Sequence, residues 1–323
     1  MQGKIAVEEH FGIEDTLRES AEYALPGQLN VLERRLLDLG DERLREMDAH
    51  GIRFAILSLN APGVQSAFDR TRAIDVARRG NDALAAGVAR HPDRFAGFAA
   101  LPMQDPEAAS AELTRAVKEL GFKGAVVNGF SQIGDPDTVV YYDDPMYRSF
   151  WATAEGLGVP FYLHPRDPLP GRMPIYDGHP WLRGASWAFG VETGTHALRL
   201  MASGVFDAHP KLTLILGHLG EGLPYHIWRF DHRVTKRPRE IPAKRSFADY
   251  LRSNFYVTTS GNFHTSTLAC AIAEMGADRV LFSVDYPFEE VADAATWFDK
   301  AEISESDRLK IGRTNAATLF NIP

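Results

Sequence analysis

Residues 4–10 read KIAVEEH. A short apolar run, suited to a buried strand, ends in two carboxylates and an imidazole. The same pattern returns along the chain. VPFYLH (159–164) ends in His164, LTLILGH (212–218) in His218 and RVLFSVD (279–285) in Asp285. RFAILSL (53–59), FAGFAAL (95–101), KGAVVNG (123–129) and FYVTTSG (255–261) complete a set of eight strand-like runs. Most are continuously apolar rather than alternating, as expected of strands buried on both faces.

Helical stretches separate these runs. LGDERLREMDAHG (39–51) places Leu39, Leu44 and Met47 among charges and stops at Gly51. A long Ala/Arg-rich segment follows at 71–95. DPEAASAELTRAVKELG (105–121) opens with Asp105 as an N-cap and Pro106 at the first helical position. Eight βα units without a compositional break predict one α/β domain over 1–323, a single (β/α)8 TIM barrel. The runner-up, a doubly wound open sheet, lacks support: no GxGxxG follows an early strand, and no Walker loop is present. Long connections after strand one (about 12–38) and strand five (about 165–190) are expected to cover the catalytic face. The second is rich in Pro and Gly and reads as a structured loop.

The composition is that of a globular protein: 45% hydrophobic and 24% charged over 323 residues. A net charge of −8 argues against nucleic acid as the main partner. Cys270 is the only cysteine, which excludes an intrachain disulfide. Its setting, TLACAIAEMG, predicts a small buried residue on a helix. No apolar stretch approaches the ~20 residues needed to cross a bilayer. Glu8, Glu9 and His10 interrupt the first apolar run at once, against a signal peptide. A cytoplasmic location is the expectation.

In a (β/α)8 barrel the C-terminal strand ends converge on one mouth. Strand one delivers Glu8 and His10, whose i, i+2 spacing puts both side chains on one face. Strand four can deliver Asn128, strand five His164, strand six His218 and strand eight Asp285. A lone strand-end histidine is more often an ordinary polar group than a ligand. Several carboxylates and imidazoles at equivalent ends of different strands are not explained that way. Together they suit a borderline divalent cation, zinc or manganese, and predict a metal-dependent enzyme. In GHLGEGLP, the three-residue spacing lets Glu221 approach His218 around a turn, where the pair can fix a tautomer and relay a proton. The competing reading is a structural pair at a helix start. His91, His209 and His50 read as helix-end residues and His179 as a long-loop residue. His232 and His264 have no assigned task.

The motifs MQGKIAVEEHF, VNGFSQ, FYLHPRDPLP, YDGHPWL, ILGHLGEGLPY, TTSGNF, FSVDYPFE and KIGRTNAATLF are similar to the decarboxylase branch of the amidohydrolase superfamily. Within it, the chain resembles the γ-resorcylate (2,6-dihydroxybenzoate) decarboxylase group over essentially its whole length. The resemblance implies one divalent ion, Zn2+ or Mn2+, held by Glu8, His10, His164 and Asp285, with no organic cofactor. The HxH of most hydrolases in the superfamily is replaced by Glu8-Glu9-His10. The bridging lysine of binuclear members is missing from strand four. The implied reaction is nonoxidative, reversible decarboxylation of an ortho-hydroxybenzoate, first of all 2,6-dihydroxybenzoate to resorcinol and CO2. Asp285 would donate the proton, assisted by His218 and Glu221. Tyr23 and Phe288 would wall the ring, Asn128 would bond a hydroxyl, and Arg229 would support Asp285 or meet an anion. A small phenolic carboxylate is the expected partner, with no nucleic acid or membrane, and a homotetramer is implied.

Two departures bear on substrate. Val284 and Tyr286 stand in SVDYPFE where the group's pattern is STDWPFE, and Tyr23 stands where phenylalanine is expected. Similar forms occur in relatives acting on 2,3-dihydroxybenzoate or salicylate, which remain the alternative substrates. A metal-dependent amide or lactone hydrolase is a more distant alternative, and a non-catalytic scaffold would predict a broken ligand set.

Overall fold

The computed structural model describes residues 1–24, 27–237 and 240–322, with backbone only at Glu19, Glu22, Tyr23 and Pro170. Its strands, in chain order, are β1 (Lys4–Phe11), β2 (Ile52–Leu59), β3 (Phe95–Gly97), β4 (Ala99–Ala100), β5 (Ala125–Asn128), β6 (Ser131–Ile133), β7 (Asp135–Val140), β8 (Phe161–His164), β9 (Leu214–Leu216), β10 (Phe255–Thr258) and β11 (Val280–Leu281). Two all-parallel sheets carry the core, β1-β2-β3 and β4-β5-β8-β9-β10-β11. β3 and β4 are two halves of one run around Phe98, whose amide donates to the Leu57 carbonyl at 2.9 Å. At the other seam Glu9 bridges Tyr286 in parallel register. There the His10 amide donates to the Tyr286 carbonyl (2.6 Å) and the Asp285 amide to the Glu8 carbonyl (3.0 Å). Hydrogen bonds therefore run all the way round an eight-membered ring of strands, with helices between them. The open-sheet alternative is excluded. The short hairpin of β6 and β7 after strand four was not anticipated.

Several helices form where the pattern places them, whereas the helices Leu29–Leu37, within the long first connection, and Val291–Lys300 were not anticipated. Asp105 caps Pro106–Lys118 by accepting from the amides of Glu107 and Ala108. FADYLRSN is the helix Phe247–Asn254, capped by Ser246. Gly51 and Gly121 follow helix ends with φ of 70° and 72°, a conformation glycine adopts without steric cost. His50, His91 and His209 all sit at helix C-caps. Cys270 is half-buried on Thr265–Met275 rather than fully enclosed. No helix among the described residues is long and apolar enough to cross a membrane.

Inside the ring, Ile5, Val7, Phe54, Ile56, Phe98, Val126, Tyr162, Ile215 and Leu281 form one buried cluster, sealed at the base by Phe320 and Ile322. A second and larger cluster lies between strands and helices. β1 belongs to both, and its parity changes on the way up. Ala6 pairs with Ala55, but Glu9 pairs with Leu57, so β1 carries one extra residue. This is a β-bulge, which re-aims the side chains above it. The hydroxyl of Ser283 accepts from both Val7 N (3.2 Å) and Glu8 N (2.5 Å) at the bulge. Below it Ile5 and Val7 face inward; above it Glu8 and His10 do.

Candidate metal centre and active site

Four of the strand-end residues meet. Glu8, His10, His164 and Asp285 each offer a ligand atom, and these atoms lie within 4.8 Å of one another. His164 Nε2 is 3.2 Å from Glu8 Oε1, and His10 Nε2 is 3.1 Å from Asp285 Oδ1. The rings of His10 and His164 stand edge to face at 4.6 Å. All four residues are buried. Glu8 Oε1, His10 Nε2 and Asp285 Oδ1 are enclosed without a hydrogen-bond partner among the described residues. Buried polar atoms are normally paired, so three orphans aimed at one point, of mixed N and O character, fit a divalent cation. No organic cofactor is needed to account for them.

Glu8 and His10 are oriented from behind, as metal-site ligands usually are. The other oxygen of Glu8, Oε2, accepts from the hydroxyls of Tyr162, Thr258 (3.0 Å) and Ser260. His10 Nδ1 faces Ser58 Oγ at 3.2 Å. Gly217 leaves the room that Glu8 occupies, since a Cβ there would meet Glu8 Oε2 at 3.0 Å. The sequence reading missed these supports. Tyr162 lies two residues before His164 on one strand, and Thr258 and Ser260 alternate in FYVTTSG, so strand periodicity could have found them.

His218 joins the site from the loop after β9. Its Nδ1 is 2.6 Å from Glu221 Oε1, and its Nε2 is 3.5 Å from Asp285 Oδ2 and 4.0 Å from Glu8 Oε1. The expected pair is therefore present, and it points into the site. Burial works against a charged His218, yet Glu221, Glu8 and Asp285 raise its pKa well above the ordinary imidazole value. Burial would raise the Glu8 carboxyl, but His218, His164 and His10 outweigh it and hold that carboxyl well below the usual range. Asp285 is likewise held low, against its burial, by the close approach of His10 and His218. His218, Glu221 and Asp285 have φ of 52°, 53° and 82°, a backbone region rare outside glycine. Such strain clusters where function demands a particular aim.

A cavity of about 450 Å3 opens above these groups, lined by His164, Phe189, His218, Asp285, Phe288 and Glu289 among others. That volume suits a single-ring ligand. The Phe288 ring packs 5.6 Å from His10. Phe189, not singled out from sequence, comes from the helix Ala188–Ala202 after the long fifth loop. Glu289 is half-buried, and burial together with Asp285 pushes its carboxyl up to about 6. Asn128 ends β5 beside His164, its Nδ2 shared between the carbonyls of Asn60 and Pro62 at 3.4 Å and its Oδ1 buried and unpartnered.

Two expectations meet a different outcome, and a third falls outside the described residues. Arg229 is exposed on the helix Leu223–Lys236 and does not line the cavity. The side chain of Tyr23 lies outside the described residues. Val284 and Tyr286 are buried away from the cavity: Asp285 faces inward, so its neighbours face outward. The Tyr286 ring lies 4.6 Å from the Arg43 guanidinium. These two departures from the group's pattern therefore do not touch a ligand in the cavity. His179 is exposed against Trp181, ring centroids 5.0 Å apart.

A closed parallel strand ring with Glu, His, His and Asp converging at its C-terminal mouth defines a metal-dependent (β/α)8 enzyme. The chain belongs to the amidohydrolase family, whose model matches residues 29–322. It is 61% identical over 324 residues to a gamma-resorcylate decarboxylase of Rhizobium radiobacter, covering 100% of this chain and 99% of that one. Among solved structures it superposes on a 2,6-dihydroxybenzoate decarboxylase complexed with 2,6-dihydroxybenzoate (TM-score 0.98, 60% identity, 99% and 100% of the two chains). A dihydroxybenzoic acid decarboxylase from Polaromonas sp., with bound manganese and the inhibitor 2-nitroresorcinol, matches with a TM-score of 0.97 at 58% identity over 99% and 97% of the chains.

Proposed function

We propose that this chain, acting as one barrel domain, is a metal-dependent carboxy-lyase that decarboxylates 2,6-dihydroxybenzoate to resorcinol and CO2, reversibly with bicarbonate. The observation that carries the reading is the convergence of Glu8, His10, His164 and Asp285 beneath a ring-sized cavity, with the His218–Glu221 pair beside Asp285. Glu8, His10, His164 and Asp285 would hold one Mn2+ or Zn2+. When bound, such an ion would supply positive charge that orients an ortho-hydroxybenzoate and stabilises phenolate character.

Direct loss of CO2 would leave an unstabilised aryl anion, so the ring carbon must be protonated first. Asp285, which lines the cavity, would deliver that proton. The C–CO2 bond then breaks, its electron pair restores aromaticity, and CO2 departs. One proton is consumed and one C–H bond replaces one C–C bond. His218, 3.5 Å from Asp285 and held by Glu221 on its other nitrogen, is placed to reload the carboxylate. Phe288 and Phe189, which line the cavity, would wall the ring. Asn128, beside His164 but not among the lining residues, would offer its unpartnered Oδ1 to a substrate hydroxyl.

The closing measurement is product analysis on metal-quantified enzyme with 2,6-dihydroxybenzoate, 2,3-dihydroxybenzoate, salicylate and a set of amides and lactones. Resorcinol and CO2 from the first substrate support the reading. Preference for the second or third keeps the chemistry and changes the substrate. Hydrolysis of an amide or lactone without decarboxylation overturns it. We further propose a homo-oligomer, a tetramer by family resemblance, with Trp181, Trp187, Tyr225 and Trp228 as exposed aromatic contacts. Light scattering tests this. Arg229, next to Trp228, keeps its proposed anion role only if activity falls in Arg229→Ala. We also propose a cytoplasmic enzyme, which fractionation of the source cells tests.

A further inference from the structure

Glu9 takes no part in the site described above. Although it lies between two of the ligands in sequence, the bulge in β1 turns it away from the cavity. It is nevertheless buried, 4% exposed, over the seam that closes the barrel. Every contact made by its carboxylate comes from a donor. Oε1 accepts from Val284 N at 2.9 Å and from the Ser283 hydroxyl at 3.2 Å, and Oε2 accepts from Tyr286 N at 3.3 Å. Val284 and Tyr286 flank Asp285, the residue with φ of 82°. The same Ser283 oxygen receives the amide of Glu8 at 2.5 Å. Beside Glu9 lies Arg43, 2% exposed, whose Nη2 donates to the carbonyl of His10 at 2.6 Å.

One network outside the cavity thus grips the backbone at three of the four ligand residues. Ser283 holds Glu8, Arg43 holds His10, and Glu9 holds the amides of Val284 and Tyr286 on either side of Asp285. A buried carboxylate is costly unless donors satisfy it, and a non-glycine residue at positive φ persists only when its surroundings over-determine it. Glu9 supplies the second condition on either side of Asp285, and the donors around it offset part of the cost of its own burial, which still pushes its carboxyl up to about 8.

We propose that Glu9 is a positioning residue for the metal centre: from the outer face of the barrel it locks the backbone that aims Asp285, and through Ser283 and the neighbouring Arg43 it keeps Glu8 and His10 in register with it. This rests on the reading of Glu8, His10, His164 and Asp285 as metal ligands.

The test compares the wild-type protein with Glu9→Met, which keeps the volume and removes every acceptor, and Glu9→Gln, which retains one acceptor oxygen. Mn2+ affinity is measured by calorimetry on freshly chelated protein, and the Mn2+ off-rate by chelator chase. The folded fraction of each apo variant is measured by circular dichroism. Glu9→Met is expected to bind Mn2+ about 10–100-fold more weakly and release it faster, as for other outer supports of metal ligands. Glu9→Gln should recover part of the loss. Affinity and off-rate within twofold of wild type for folded Glu9→Met overturn the proposal. Should Glu9→Met not fold, Ser283→Ala decides: severalfold weaker Mn2+ binding supports the network, and unchanged binding overturns it. A wild-type protein that binds no Mn2+ or Zn2+ overturns the metal-site reading itself, whereas tight wild-type binding with unchanged variants overturns the role of Glu9 alone.

Discussion

The two ends of the strand ring are built on opposite principles. At the base, Ile5, Phe54, Ile56, Phe98, Ile215 and Phe320 pack into a closed apolar plug. Lys4, the one cation of β1 at that end, is paired with Asp299 at 3.0 Å. At the mouth, Glu8 Oε1, His10 Nε2 and Asp285 Oδ1 are buried without a hydrogen-bond partner among the described residues, and His218, Glu221 and Asp285 adopt left-handed backbone. The same strands supply both ends. Stability is gathered at the base and between strands and helices, and that surplus tolerates a mouth aimed for chemistry. Conservative changes at the mouth should therefore spare the fold and remove turnover, and changes at the base should do the reverse.

The largest effect is expected of Asp285→Asn, which keeps the shape and removes the proton-bearing carboxyl. Turnover should fall by at least ~10⁴-fold. Substantial turnover with metal retained would remove Asp285 from the acid role. His218→Asn should lower kcat by ~10²–10³-fold while metal content, measured by mass spectrometry, stays near wild type. An equal loss of both would make His218 a ligand rather than a relay. At the base, Ile56→Ala should lower unfolding free energy by ~2–5 kcal/mol in a denaturant titration, with kcat below the melting transition within about twofold of wild type. A large fall in kcat there would break the division between the ends.

Tyr162→Phe sharpens the comparison, because Tyr162 belongs to the apolar plug and also donates to Glu8 Oε2. Removing its hydroxyl should weaken Mn2+ binding by ~10-fold and leave apo stability within ~1 kcal/mol, read by chelator competition and urea titration. The smallest effect belongs to neither end. Asp15, on the surface, is held below the usual carboxylate range by hydrogen bonds from Arg79 and Arg72. A depressed carboxyl contributes stability above its ordinary pKa, and that contribution is lost as pH falls from about 4 toward the folded-state value. Because both arginines are exposed and the pair is screened by solvent, it is worth under ~1 kcal/mol. Arg79→Ala should reduce it measurably only in low salt.

Much of this was legible from residues alone. Runs of apolar residues ending in Glu8, His10, His164, His218 and Asp285, spaced by helical segments, determine a parallel barrel and a metal-binding mouth, because strand ends of that fold converge whatever the loops do. The His218–Glu221 pair followed from a three-residue spacing, since a local turn needs no distant information. What the tertiary structure decided is aim. If Ile5 and Val7 face inward, strict alternation points Glu9 into the barrel and Glu8 and His10 out of it. The bulge reverses this, and it is held by Ser283, some 275 residues away in sequence. The outward turn of Val284 and Tyr286 and the grip of Glu9 on the Asp285 backbone likewise depend on which strands meet at the closing seam. Periodicity is a property of one segment, but its phase relative to the cavity is set by partners that only folding brings together.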